Sequence, residues 1–404
     1  MNFSALPEIT GGKLLQLSTD RLLVHLLTDS RKPVVHEGAC FFAIAGDRHD
    51  GHDYICSLYE SGVYQFIVER NYPTRNLPQA NILQVGSTVD ALQKIVAHHR
   101  KKFSIPVIGI TGSNGKTIVK EWLYQLLAHE YTIVKNPGSY NSQIGVPLSV
   151  WHMQPHHQLG IFEAGVSFPG EMNNLREIIN PSLGIFTTIG SAHDENFANR
   201  TEKIREKLNL FTRVSTLIYC HDHHEIDDAV KQTEIPALNW GSSTHADVEV
   251  TRNDEVININ WKRKQLQFDI QFPFADAASV ENGLHCAVAM LTLGYEPNVI
   301  KQRVKLLRSI PMRLELKEGI NQCQLIDDTY NNDLAGLQMS IDFLRNQHQK
   351  QSKTIILSDI LESGLAGEEL VKRIATSINA SGVSKFIGIG KHLSQHANFF
   401  QADS

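Results

Sequence analysis

Residues Pro106–Thr117 read Pro-Val-Ile-Gly-Ile-Thr-Gly-Ser-Asn-Gly-Lys-Thr, a short apolar strand pattern that runs into a Gly-Lys-Thr turn and then into a helical stretch. That order fits a nucleoside triphosphate. Gly112 and Gly115 let the backbone N–H groups of Ser113 and Asn114 close around phosphate oxygens. Lys116 can reach the β- and γ-phosphates, Thr117 can offer a hydroxyl to Mg²⁺, and the helix N-terminus adds partial positive charge. The strict G-x-x-x-x-G-K-[ST] spacing is not kept, because Ile110 stands five positions before Gly115. A tighter loop, Gly112-x-x-Gly115-Lys116-Thr117, stands in its place. A Gly-rich turn without a ligand is the plainer alternative, and it is outweighed because strand, loop, Lys-Thr and helix fall in order.

Working outward, the chain beyond Ile105 alternates strands and helices, as a parallel sheet covered by helices requires. Strands are expected at Val107–Thr111, Leu159–Glu163, Leu183–Thr188 and Ser215–Cys220, with helices at Lys116–Glu130 and Ala278–Leu293 and an antiparallel stretch over Asp247–Phe274. Before it, residues 1–103 mix short strands with helices and end in His98-His-Arg-Lys-Lys102. After it, Ser309-Ile-Pro-Met-Arg313 breaks the helical pattern, and Gln324–Asp327, Thr354–Leu357 and Lys385–Ile389 read as strands between helices. The expected architecture is α/β in three domains: 1–103, a central parallel-sheet nucleotide-binding domain at 104–310, and a small α/β domain at 311–404.

At 404 residues the chain exceeds one ordinary core. A net charge of −5 argues against a nucleic-acid surface or a polybasic membrane anchor. Its five cysteines are odd in number and lack C-x-x-C spacing, which suggests neither a disulfide framework nor a zinc knuckle. No apolar run approaches the roughly 18 residues of a spanning helix, and the N-terminus lacks a leader pattern, so a cytoplasmic setting is expected.

Further chemistry gathers at strand ends. Glu163 closes a strand at the carboxyl edge, where open α/β sheets place ligands, and can hold Mg²⁺ beside the phosphates. His193 follows the next strand at the same edge. Asp327 and Asp328 close a third-domain strand, where carboxylates can meet ribose hydroxyls, although Asp-Asp before Asn-Asn is also ordinary turn chemistry. Cys220–Glu225 is rich in His and acids, yet adjacent loop residues seldom converge on one ion, so an exposed loop is expected. His152, His156 and His157 read the same way.

These residues resemble the Mur ligases, the ATP-dependent amide-forming enzymes of peptidoglycan synthesis, over nearly the whole chain. The family's Thr-Gly-x-Asn-Gly-Lys-Thr stands at Thr111–Thr117, and its Asn-x-x-Ile-Gly-x-Pro at Asn141–Pro147. Glu-x-Gly followed by Gly-Glu stands at Glu163–Gly165 and Gly170-Glu171. Thr28–Arg31 and Gly46–Asp53 resemble UDP-sugar recognition segments, and Leu357–Gly364 resembles a third-domain segment of the members that add D-alanyl-D-alanine. Two motifs depart: the adenine-side His-Asn-x-x-Asn appears as Glu281-Asn282-Gly-Leu-His285, and Tyr-Asn-Ala-Asn-Pro as Tyr330-Asn-Asn-Asp-Leu334.

The resemblance implies ATP and Mg²⁺ as cofactors, UDP-N-acetylmuramoyl-tripeptide and D-alanyl-D-alanine as substrates, and an acyl phosphate between them. It places one metal on Thr117 and Glu163, and a second on His193 and an N-carboxylated Lys207. Asn282, Arg313 and Asp328 would seat the nucleotide, and Ser30, Arg31, Gly46, Asp50 and Asn141 the substrate. Lys116, Lys207 and His193 would be catalytic. A third domain incomplete at Ser404 and a fused alanine racemase downstream are further expectations. Two other readings stay open: a folylpolyglutamate-type ligase with another acceptor, and a nucleotide-binding module without turnover.

Overall fold

The computed structural model describes residues 1–31, 37–46, 49–190, 194–330, 333–345, 352–361, 363 and 365–401. His193, Asp47, Arg48, Asn331, Asn332, Glu362 and Gly364, all in segments singled out above, lie outside the described residues.

Among those described, the first part of the chain forms a five-stranded sheet from β1 (Lys13–Gln16), β2 (His25–Leu27), β3 (Ala39–Phe42), β4 (Gln65–Val68) and β5 (Asn81–Gln84). Its order is β1-β5-β4-β3-β2, parallel except for the antiparallel β1. Helix Thr88–Arg100 follows, its N-terminus capped by the Ser87 side chain.

Nine strands form the central sheet: β6 (Val107–Thr111), β7 (Ile133–Lys135), β8 (Leu159–Glu163), β9 (Leu183–Phe186), β10 (Thr216–Cys220), β11 (Ala237–Gly241), β12 (Val248–Asn253), β13 (Val256–Trp261) and β14 (Leu266–Ile270). They run in the order β14-β13-β12-β11-β10-β9-β6-β8-β7, parallel from β7 through β12 and antiparallel over the last two pairings. The chain leaves β6 toward β7 and β8 on one side and reaches β9 on the other. Sheet order therefore reverses at β6, which opens a crevice at its carboxyl end. Strands β6, β8 and β9 are buried at every residue, with helices covering both faces. Their Val, Ile, Leu and Phe content reflects that double burial.

The last part holds two strand pairs: antiparallel β15 (Glu315–Glu318) with β16 (Gln324–Asp327), and parallel β17 (Thr354–Ser358) with β18 (Lys385–Ile389). Its core is a small cluster around Ile341, Val371, Ile374, Ile378 and Phe386.

Trp151 Nε1 donates to Val24 O at 2.7 Å and Arg100 Nε to Ile179 O at 3.0 Å, joining the first sheet's unit to the central one. On the other side Trp122 Nε1 donates to Arg308 O at 2.8 Å. Beyond it the backbone turns left-handed at Met312 and Leu314, φ 60° and 49°, on either side of Arg313. Cys40, Cys220 and Cys286 are buried, while Cys56 and Cys323 are exposed, all five as thiols.

One expectation is corrected. Cys220–Glu225 is not an exposed loop: Cys220 ends β10 in the core, and helix His224–Lys231 begins two residues before Ile226. Ile226, Ala229 and Val230 recur at helical spacing and bury that face, which outweighs the polar character of the stretch.

Candidate active site

The loop after β6 closes tightly because it is built against the neighbouring strand end. Gly112 has φ 148°, and a Cβ there would stand 2.0 Å from Thr187 Oγ1; Gly115 has φ 82°, and a Cβ there would stand 2.3 Å from Asn282 Oδ1. Only glycine fits either position. Thr187 Oγ1 donates to Asn114 O at 2.6 Å, and Ser113 N donates to Thr188 O at 2.7 Å, so the loop is pinned before any ligand arrives. Lys116 opens the following helix and its Nζ donates to Gly112 O at 2.9 Å and Ser113 O at 2.8 Å. Burial pushes its ammonium down to about 8.

Thr117 Oγ1 lies 2.9 Å from both Glu163 Oε2 and Ser139 Oγ. Glu163 is fully enclosed at the end of β8. Arg313 reaches across from the joint: its guanidinium donates to Ser139 Oγ at 3.0 Å and to Thr117 Oγ1 at 3.4 Å, and lies 4.1 Å from the centre of the Tyr330 ring.

Lys207, on helix Arg200–Leu208, is buried and donates to Gly112 O at 3.2 Å. Burial holds its amine well below the ordinary lysine range, and the nearby charges of Lys116 and Lys203 add to that. Two lysines thus converge on one carbonyl. Lys203, one turn earlier, donates to Gly190 O at 2.6 Å, and Glu206 Oε1 accepts from Met172 N at the start of helix Glu171–Ile179.

These groups bound a cavity of about 520 Å³ lined by the phosphate loop, Asn141–Ile144, Gly165–Phe168, Glu171 and Lys207, and closed over by Arg313, Tyr330, Asp333 and Leu334. Among the described residues no group of three or more His, Cys, Asp or Glu is placed to cage a metal. Thr117 and Glu163 offer hard oxygens instead, which suits Mg²⁺, an ion that keeps waters and takes phosphate oxygens beside one or two protein ligands.

The structure thus brings Gly112, Ser113, Gly115–Thr117, Asn141, Lys207 and Arg313 to one crevice, with Glu163 enclosed behind Thr117. Asn282 packs behind Gly115, nearly enclosed. Asp328 accepts from Leu314 N at 3.3 Å and Ser340 Oγ at 2.6 Å, fastening the joint, and does not line the cavity; burial raises its carboxyl. Ser30, Arg31, Gly46 and Asp50 belong to the first unit and do not line the cavity either. Arg31 pairs with Asp29, while Asp50 accepts from His52 Nδ1 at 2.6 Å and from Arg70. His193 lies outside the described residues. Lys120 and Ser139 went unread in the sequence. Lys120 had a faint signal: a lysine one helical turn after Lys116, on a face otherwise apolar.

Residues 110–290 match the family model of the Mur ligase middle domain. Over 393 residues the chain is 28% identical to UDP-N-acetylmuramoyl-tripeptide--D-alanyl-D-alanine ligase of Bacillus subtilis (strain 168), covering 95% of this chain and 84% of that protein. The ligase of the same name from Escherichia coli (strain K12) is 23% identical over 401 residues, 97% and 86% of the two chains. Among solved structures, MurF from Acinetobacter baumannii superposes with a TM-score of 0.84 at 23% identity, covering 99% of this chain and 88% of that one. The MurF ligase from Thermotoga maritima in complex with ADP gives 0.77 at 24% identity, covering 94% and 86%. The fold is therefore shared over nearly the whole chain.

Proposed function

We propose that the chain is a Mur ligase, an ATP-dependent ligase joining D-alanyl-D-alanine to UDP-N-acetylmuramoyl-tripeptide in peptidoglycan precursor synthesis. The observation that carries this reading is the convergence of Lys116 and Lys207 on Gly112 O: a phosphate-binding cation and a buried amine of low basicity stand at one point of the cavity. A plain nucleotide-binding module needs only the first.

A carboxylate attacking a γ-phosphate meets strong charge repulsion, so the chain's task is positioning and cation clamping. Lys116 and the backbone N–H groups of Ser113 and Asn114 would bind the phosphates. Thr117 and Glu163 would hold Mg²⁺, which when bound neutralises phosphate charge. Lys207 is suited to take up CO₂, since only a neutral amine reacts and its surroundings favour that form. As a carbamate it would offer an anionic oxygen to a second ion together with His193. Asn282 would fix the loop from behind, Arg313 would close on the phosphates from the third part of the chain, and Asp328 would steady that arm. Asn141, which lines the cavity, would meet the substrate there, and Ser30, Arg31, Gly46 and Asp50 would engage the UDP-sugar. We assign domains 1–103, 104–310 and 311–404 on the three sheet systems.

No helix among the described residues is long and apolar enough to cross a membrane, and cytoplasmic action belongs to the same proposal. A fused alanine racemase rests on the resemblance alone; reading the gene past Ser404 tests it.

Phosphate release with UDP-N-acetylmuramoyl-tripeptide decides the function. Turnover is expected with D-alanyl-D-alanine and not with diaminopimelate or glutamate. Turnover with glutamate would favour the folylpolyglutamate-type reading, and nucleotide binding with no turnover would favour the idle module.

A further inference from the structure

Lys120 stands one turn past Lys116 on helix Lys116–Leu127, and both it and Glu163 are entirely enclosed. A buried ammonium is tolerated only when paired and hydrogen-bonded. Here Nζ donates to Asn136 O at 3.0 Å, to Gly138 O, and to Glu163 Oε1 at 3.4 Å, with Glu121 Oε1 at 3.2 Å. Asn136 tightens the same tie. Its Oδ1 accepts from Glu163 N at 2.7 Å, and its Nδ2 donates to Tyr140 O.

The two oxygens of Glu163 consequently face different partners: Oε1 meets Lys120, and Oε2 meets the Thr117 hydroxyl. Holding Gly138 O also sets the loop whose next residue, Ser139, stands beside Thr117. We propose that Lys120 is a positioning residue that engages one oxygen of Glu163 and so presents the other alone to the divalent cation, favouring Mg²⁺ over Ca²⁺. The inference rests on the proposed reading of Glu163 as a magnesium ligand.

The selectivity follows from coordination. Mg²⁺ takes a compact octahedron with single carboxylate oxygens, whereas Ca²⁺ accepts more oxygens and welcomes a carboxylate through both. With Oε1 engaged by Lys120, the two-oxygen mode is closed. A lysine serving only to brace the 136–139 loop would find its counter-charge in Glu121, 3.2 Å away, and would not need Glu163.

The test measures ADP affinity by calorimetry on the full chain at fixed free Mg²⁺ and at fixed free Ca²⁺, with a thermal melt of each protein. Groups that orient a metal ligand are typically worth about 10–100-fold in metal affinity. Lys120→Met should therefore narrow the Mg²⁺-over-Ca²⁺ preference by about 10-fold or more. A folded Lys120→Met with the unaltered preference overturns the proposal. Should Lys120→Met fail to melt cooperatively, Lys120→Met/Glu163→Gln is compared with Glu163→Gln, since neither leaves a lone carboxylate buried. Equal preferences in the two support action through Glu163, and a further narrowing of about 10-fold in the double variant overturns it. If the unsubstituted protein shows no Mg²⁺-dependent ADP binding, the magnesium reading of Glu163 falls, and this inference with it.

Discussion

The cavity has two walls of unequal make. Its floor rises from β6 and β8, where Ile108, Ile110 and Ile161 are at most 1% exposed; its roof hangs from the part of the chain carrying β17 and β18, where Ile356 is 63% and Ile389 56% exposed. The floor is fixed by a deep core and by loop hydrogen bonds already made, so ligand binding there meets little ordering cost. The roof reaches the floor through Arg313, at a joint with left-handed residues on both sides. On the proposed function, affinity for phosphate would belong to the floor, and closure over the reacting groups to the roof.

Lys116→Ala should separate the walls most sharply. It removes the cation proposed to meet the phosphates, and turnover should fall about 10²–10³-fold, the usual loss for one such contact. The melting temperature should hold, because the ammonium is buried and lowered rather than stabilising. Near-normal ligation by this variant would undo the assignment of the phosphate loop.

Next comes a matched pair of truncations. Ile161→Ala in β8 should cost about 2–5 kcal/mol in denaturant unfolding, whereas Ile356→Ala in β17 should stay within about 0.5 kcal/mol. Equal costs would mean that the roof has a core comparable with the floor's.

Arg313→Ala should weaken ATP about 10-fold, the loss of a charge-assisted hydrogen bond or two, with unaltered UDP-sugar affinity. A loss matching that of Lys116→Ala would make the roof an equal partner in phosphate binding.

A further effect is one of acidity. Burial pushes His285, inside the floor, and His99, at its seam with the first unit, down to about 4. An unfolded histidine titrates near 6.5, so between those values the unfolded chain holds more protons than the folded one. Stability should therefore decline as pH falls from about 6.5 toward 4 and be indifferent to these groups above that range. His285→Gln should flatten the decline, read from urea midpoints at several pH values; an unchanged slope would remove His285 as its source.

The phosphate loop was legible because its meaning is local: glycines, Lys116 and Thr117 lie within a few residues of each other. Glu163 was legible from its place at a strand end. Lys120 and Ser139 were not, since their importance arises when residues 136–139 close onto Glu163, a contact with no spacing signature. Short edge strands were missed for a similar reason. Lys13–Gln16, Ile133–Lys135 and Glu315–Glu318 are brief and partly charged, and their pairing is decided by neighbours far along the chain. Asp328 shows a different gap: nothing in the sequence signalled that its carboxylate is also held by Leu314 N and Ser340.

The distribution of thiols makes the chain its own ruler. Cys56 lies on the helix Ile55–Glu60 of the first unit and Cys323 beside β16 in the last, both open to solvent. The other three are enclosed, and burial pushes their thiols up, that of Cys220 to about 12, so they hold few reactive thiolates. A donor and an acceptor dye attached to the unaltered sequence would land on the two exposed sites, one on each of the outer units. The separation of the two outer units, with and without nucleotide, can then be followed as a single distance in solution, without introducing a residue.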